Sequence, residues 1–196
     1  MVLDGFDKQK QALLSSNLDR SKKGSVDSAI QPLVDLINSR KNFYTTSSCA
    51  GRTVLIQFRS KRKDDAAWLF TSHDYIAAQD LISILKGNAN ILDYPVWFMS
   101  EPPILHVCCR SFDDARTFLV IAKESGFKRA GIISFGRRIM IEMIGSQRID
   151  APIIEDKTIL VSDGYLALLA DKANQAMKKN RSDLERFRKK AEAKLF

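Results

Sequence analysis

The sequence predicts an α+β fold: a single domain over residues 1–196 with a mixed β-sheet, packed helices and a long basic C-terminal helix. Three observations carry that expectation. Two similar stretches pass from an apolar strand into a capped helix through one or two polar residues ("SHD", "CRS"). Several β-branched segments stand between Gly-bearing or polar turns. The last thirty-odd residues, beginning at "SDGYLALLADKANQAM", keep helical spacing throughout.

Taken in order, "DKQKQALLSSNL" predicts a short helix. "KKGSVDSAIQPLVDLINSR" predicts another, capped by Ser25 or Asp27, with Ile30, Leu33, Val34 and Ile37 on one face. Pro32 is tolerated only near a first turn, which puts the start close to Asp27. "FYTTSS" reads as a strand, "CAGR" as a turn, "RTVLIQFR" as a strand and "SKRKDD" as a polar loop. "AAWLFTSHDYIAAQDLISILKGN" follows as strand and helix, with Gly87 as the stop; "DYPVWFM" is a strand between the two similar stretches. The second of these, "PILHVCCRSFDDARTFLVIAKESGF", has Ser111 as helix cap and Gly126 as stop. "AGIISF", a turn at Gly136 and "IMIEMIG" form a hairpin, and "DAPIIEDKTILVS" is extended. In the final helix Leu166, Leu169, Ala170, Ala173, Ala176 and Met177 make an apolar stripe that packs on the core. The rest, 178–196, is expected to be a basic tail that projects or pairs loosely.

At 196 residues, with 45% hydrophobic and 28% charged residues, the chain has the composition of a folded soluble protein. No apolar run reaches the length of a membrane span, and the start lacks a signal peptide, so a cytoplasmic protein is expected. Three cysteines argue against a disulfide framework. The net charge of +8 points to an anionic partner, with nucleic acid first. From Lys178 to the end eight basic residues face three acidic ones. Further clusters are Arg59, Lys61, Arg62 and Lys63, and Lys128, Arg129, Arg137 and Arg138.

Several chemistries have no pattern here. The chain has no phosphate loop, no G-x-S-x-G elbow and no G-x-G-x-x-G fingerprint. Cys49, Cys108, Cys109, His73 and His106 contain no C-x-x-C or H-x-x-x-H pair, so no metal site is expected.

"TTSSCAGR" is more informative. Where the chain bends at Gly51, successive N–H groups can converge on an anion, joined by the hydroxyls of Thr46, Ser47 and Ser48 and by a bidentate Arg52. Cys49 admits a thiolate reading that no basic neighbour but Arg52 supports. A plain turn, in which Ser and Thr merely suit the bend, stays open beside both. In "PPILHVCCR", strand alternation puts His106, Cys108 and Arg110 on one face, where His106 and Arg110 line a common cleft; a histidine satisfied within the sheet is the alternative. His73 and Asp74 end the preceding strand, where function and simple capping are both open. Trp68 and Trp97 are expected in the core.

These segments, in this order and spacing, resemble the third tRNA wybutosine-synthesising protein family, methyltransferases of eukaryotes and archaea. The resemblance runs from "KKGSVDSAIQPLVDLIN" through "FYTTSSCAGR", "WLFTSHD", "PPILHVCCRSFDDA" and "SGFKRAGI" to "YLALLADKANQAM". Ala50 and Ala130 stand where the family's pattern commonly has Ser. The resemblance implies an enzyme, not of the Rossmann methyltransferase type. It would transfer methyl from S-adenosylmethionine to a ring nitrogen of 7-aminocarboxypropyl-demethylwyosine, beside the anticodon of phenylalanine tRNA. On that implication His106 and Arg52 are expected to be catalytic. Ser47, Ser48, Cys49, Gly51 and Arg52 would hold the methyl donor, and His73, Arg110 and Thr46 the substrate. A monomer is expected, with other enzymes of the pathway left open as partners. A non-catalytic RNA-binding module and a Cys49-dependent enzyme on a small acidic metabolite are the rival readings.

Overall fold

The computed structural model describes residues 5–16, 26–59, 65–87, 93–136 and 138–195. Ser25, residues 61–63 and Arg137 therefore lie outside the described residues, and with them one proposed helix cap and parts of two basic clusters. In chain order the first elements are α1 (Gly5–Ser16), α2 (Gln31–Ser39), β1 (Phe43–Cys49), β2 (Arg52–Phe58) and β3 (Ala66–Ser72). Next come α3 (Ala78–Gly87), β4 (Val96–Glu101), β5 (Ile104–Cys109), α4 (Phe112–Glu124) and β6 (Gly131–Phe135). The chain closes with β7 (Ile139–Ile144), β8 (Ile149–Glu155), β9 (Thr158–Ile159) and α5 (Asp163–Lys194).

The α+β class and the long C-terminal helix are as expected. In place of one mixed sheet there are two, and every described strand pair is antiparallel. The chain forms two compact units: 1–50, 103–146 and 180–196 make the first, and 51–102 with 147–179 the second. No helix among the described residues is long and apolar enough to cross a membrane.

The first unit holds the sheet β1-β5-β7-β6. Leu105, Val107, Ile141 and Met143 point from one face into a core closed by α2, α4 and the last half of α5. α2 buries Leu33, Val34 and Ile37, as its spacing requires, but begins four residues after Asp27. The Asp27 carbonyl accepts from the amides of Ile30 and Gln31 in the turn before the helix, and Ile30 occupies the cap position. Pro32 fits because the first-turn amides have no partner in the helix. α4 starts in a reciprocal capping box of Ser111 and Asp114. It stops at Gly126, whose φ of +106° only glycine adopts readily, and whose absent Cβ leaves room for the Asp183 carboxylate.

Residues 180–195 correct the expectation of a projecting tail. Leu184, Phe187, Ala191 and Leu195 are buried in the first unit's core, with Phe187 packed 5.0 Å from Phe118 and 6.1 Å from Phe127 by ring centroid.

The second unit holds the sheet β3-β2-β4-β8-β9. Leu55, Phe98 and Ala151 share one face and pack on Leu81 and Leu85 of α3 and Leu166, Leu169 and Ala173 of α5. Asn174 fixes the approach to α3, bonding both the amide and the carbonyl of Ile76 at 2.9 Å.

Candidate functional site

The hydroxyl run forms most of β1, and its pairing with β5 decides which side chains meet. Phe43, Tyr44 and Thr45 face Cys109, Cys108 and Val107; the register then slips, and Ser47, Ser48 and Cys49 face His106, Leu105 and Ile104. The slip is a bulge that leaves Thr46 as the extra residue. Asn38 of α2 secures it, accepting from the Thr45 amide at 2.8 Å and donating to Thr45 Oγ1 at 3.1 Å. Ser47 and Cys49 therefore share a face with His106. Ser48 lies with Leu105 on the core face, and both it and Thr46 are buried. The row of hydroxyls does not converge on one point.

His106 carries the first unit's chemistry. Its Nε2 lies 3.0 Å from Oε2 of Glu142, directly across β5 and β7. An ionised carboxylate only accepts, so Nε2 bears the proton, and in the neutral ring Nδ1 is the basic nitrogen. That nitrogen makes no hydrogen bond among the described residues. Both side chains are about a third exposed or less, at 27% and 34%, so the pair is reachable from solvent yet partly desolvated. Arg110, expected beside His106 in a cleft, is engaged elsewhere. Its Nε donates to Asn42 at 3.1 Å, its Nη2 bonds Asp7, and its guanidinium lies 4.4 Å over the Phe6 ring. Arg110 fastens α1 to the sheet.

At the bend Gly51 has φ of +93°, as a left-handed turn requires. The amide of Ala50 donates to Oδ2 of buried Asp27 at 3.0 Å. This corrects two expectations: Asp27 is no helix cap, and the bend amide expected to cradle a ligand already holds a carboxylate of the chain itself. On the second unit's side the Gly51 carbonyl lies 3.1 Å from His73 Nδ1; a carbonyl only accepts, so that nitrogen is the protonated one.

Arg52 begins β2. Its Nε donates to Glu101 at 2.5 Å across β2 and β4, and its guanidinium stacks 4.5 Å over Trp68. The two outer guanidinium nitrogens have no bond among the described residues, so a fork remains for an external carboxylate. Trp68 is not in the core but 41% exposed. A bulge makes Leu69 the extra residue of β3, so Ile56 faces Trp68 and the indole turns away from the core face.

Sequence reasoning missed Glu142 and the role of Asp27. The only signal for Glu142 was a lone acid in the apolar strand "IMIEMI", in phase with His106 only once the strands are paired. Charge also separates. The first unit has 20 Lys and Arg against 12 Asp and Glu, whereas the second has 11 of each, so the whole net charge of +8 belongs to the first.

The family model described as Methyltransferase TYW3 matches residues 8–193. A mouse protein named tRNA wybutosine-synthesizing protein 3 homolog is 36% identical over 180 residues, covering 88% of this chain and 67% of its own. A Thermococcus sibiricus protein is 34% identical over 185 residues, covering 93% and 92%; its name is tRNA(Phe) 7-((3-amino-3-carboxypropyl)-4-demethylwyosine(37)-N(4))-methyltransferase. The solved structure of the PH1069 protein from Pyrococcus horikoshii superposes with a TM-score of 0.84 at 30% identity, covering 94% of this chain and 95% of that one.

Proposed function

The chain belongs to the TYW3 methyltransferase family, and on that premise we propose that it methylates a ring nitrogen of 7-aminocarboxypropyl-demethylwyosine in phenylalanine tRNA, with S-adenosylmethionine as donor. The observation that carries the reading is the family match over 8–193. An RNA substrate accords with a first unit that holds all the excess positive charge. Family membership favours neither a non-catalytic RNA-binding module nor a Cys49-dependent enzyme. The protein acts as a cytoplasmic monomer in this reading.

S-adenosylmethionine supplies a methyl group already activated on a sulfonium. The protein's part is alignment, proton handling and exclusion of water. Arg52, with two outer nitrogens open and its plane set by Glu101 and Trp68, fits the carboxylate of an amino-acid end. Ser47, Cys49 and Gly51 flank it along the chain, while buried Ser48 and Thr46 hold β1 in place. His106 takes the proton of the acceptor nitrogen at Nδ1, and Glu142 holds the opposite nitrogen in the required tautomer. His73, oriented by the Gly51 carbonyl, contacts the substrate.

Labelled S-adenosylmethionine and tRNA from a strain lacking the protein test this reading, with mass spectrometry of the nucleoside. A methylated wyosine derivative is expected. Binding of tRNA without transfer would leave the RNA-binding module; a donor-independent activity lost in Cys49→Ser would leave the thiol enzyme.

A further inference from the structure

The β6–β7 hairpin of the first unit exposes what a folded protein normally covers. Phe135 is 74% exposed, Ile133 51% and Ile132 38%, on an edge strand that among the described residues pairs with β7 alone. The register shift between Ile132 and Ser134 makes Ile133 the extra residue of a bulge. Basic residues bracket β6 in the chain, Lys128 and Arg129 before its first residue and Arg138 after the turn. From 125 to 141 the chain has Lys128, Arg129, Arg137 and Arg138 and no acid at all. Lys128, Arg129 and Arg138 form no ion pair among the described residues. The cations in the last turns of α5 differ: Arg188 and Lys189 meet Glu185, Arg186 meets Asp183, and Lys190 and Lys194 meet Glu124.

We infer that this hairpin is the surface on which the substrate RNA rests its unpaired loop, with Phe135 stacking on a base and Lys128, Arg129 and Arg138 meeting the flanking phosphates. An aromatic face amid unpaired cations is the chemistry that single-stranded nucleic acid recognises. A second copy of the chain fits poorly, because edge-to-edge pairing would bring the same cations together. The hairpin is one edge of the sheet that also carries the His106–Glu142 pair. Glu142 faces Gly131 at the base of the hairpin, and Ile139, three residues along β7, faces Phe135. Ile139 shares the core face of β7 with Ile141, so Phe135 leaves the opposite face of the sheet from Glu142, about 10 Å along the strand. A loop that rests on Phe135 and presents a base to the His106–Glu142 pair therefore passes around the β6 edge. Chemistry on an extruded base leaves a gap in the loop's stack, and a neighbouring aromatic offsets that cost.

This inference rests on the tRNA reading, and the experiment separates the two. Full-length wild type, Phe135→Ala, Phe135→Tyr and Lys128→Ala/Arg129→Ala are titrated with a fluorescein-labelled synthetic anticodon stem–loop at several salt concentrations. Far-ultraviolet circular dichroism checks the fold, and sedimentation the mass. Phe135→Ala is expected to bind roughly tenfold more weakly with an unchanged salt slope, and Phe135→Tyr to bind as wild type. The double variant is expected to flatten the slope by about two phosphate contacts. Wild-type affinity in a folded Phe135→Ala would overturn the inference, as would a dimer of wild type that this variant breaks. If wild type methylates tRNA in either case, only the hairpin's role has failed; if it does not, the functional reading has.

Discussion

His106 and Glu142 face each other across β5 and β7, with Nε2 and the carboxylate 3.0 Å apart. A histidine held this way keeps its proton on the carboxylate's side and presents Nδ1 as the base. If His106 takes a proton during transfer, His106→Ala is expected to slow single-turnover methylation by about 10²–10⁴-fold. Glu142→Gln, which keeps the size but can donate to the ring, is expected to move the pH profile of transfer, and Glu142→Asp to restore part of it. A Glu142→Gln enzyme with the wild-type profile would reduce the pair to a cross-strand contact.

Arg52 is held by Glu101 on one edge and by the face of Trp68, so one substitution touches binding and a spectroscopic reporter together. Arg52→Ala is expected to stay folded, to lose donor affinity by at least tenfold, the worth of a charge-assisted pair, and to change the tryptophan emission. Wild-type single-turnover rates would remove Arg52 from the site. Arg52→Lys is expected to rescue little, since an ammonium neither stacks on the indole nor offers a fork.

What the sequence made legible was local. α4 could be read with its cap at Ser111 and its stop at Gly126, because both signals sit within a turn of the helix they bound. Of the strand pairing, the β6–β7 hairpin was legible because its partners meet across a short turn. Pairs such as β1 with β5 and β4 with β8 were not, since the partners lie tens of residues apart and one bulge inverts the facing of all that follows. Leu69 is such a bulge, and it moves Trp68 from the core face to an exposed one. The same non-locality hid Glu142 opposite His106, and Asp27 beneath the Ala50 amide. For α5 the pattern was present but outweighed. Leu184, Phe187, Ala191 and Leu195 hold spacings of three and four, yet the charges between them suggested a solvated arm.

That burial turns the C-terminal segment into a test of stability. Phe187 touches both Phe118 and Phe127 and has no exposed surface. Phe187→Ala is expected to cost about 3–5 kcal/mol, lowering the melting temperature by roughly 10 °C. Truncation after Asn180, which also removes Leu184, Ala191 and Leu195, is expected to unfold the first unit; a folded truncate with native-like hydrogen exchange in α4 would contradict the packing described.

Acid provides an independent probe of the same contact. Hydrogen bonds from Lys194 and then Lys190, with the charge of both, hold the Glu124 carboxyl below its ordinary range. A depressed folded value means the contribution is present above the unfolded value of about 4.3 and disappears as pH falls through the lower folded one. Glu124→Gln is expected to flatten the acid limb of thermal stability between about pH 5 and pH 3, and added salt to shrink the difference, since the carboxylate is exposed. Parallel limbs for wild type and variant would show that the lysines do not lace α4 to α5.

The three cysteines separate by depth, which lets a thiol reagent report on the bend. Cys108 and Cys109 are buried, and burial, with Asp114 and Cys108 nearby, pushes the Cys109 thiol up, away from its reactive form. Cys49 is half-buried, on the face of β1 that carries Ser47 and opposite Ile104, next to His106 on β5. Under native conditions a maleimide is expected to modify Cys49 first and the other two only on unfolding. Saturating S-adenosylmethionine is expected to slow that modification severalfold if residues 47–52 hold the donor. A Cys49 rate indifferent to the donor, in a protein that still transfers methyl, would move the donor away from the bend and leave His106 and Glu142 without their proposed neighbour.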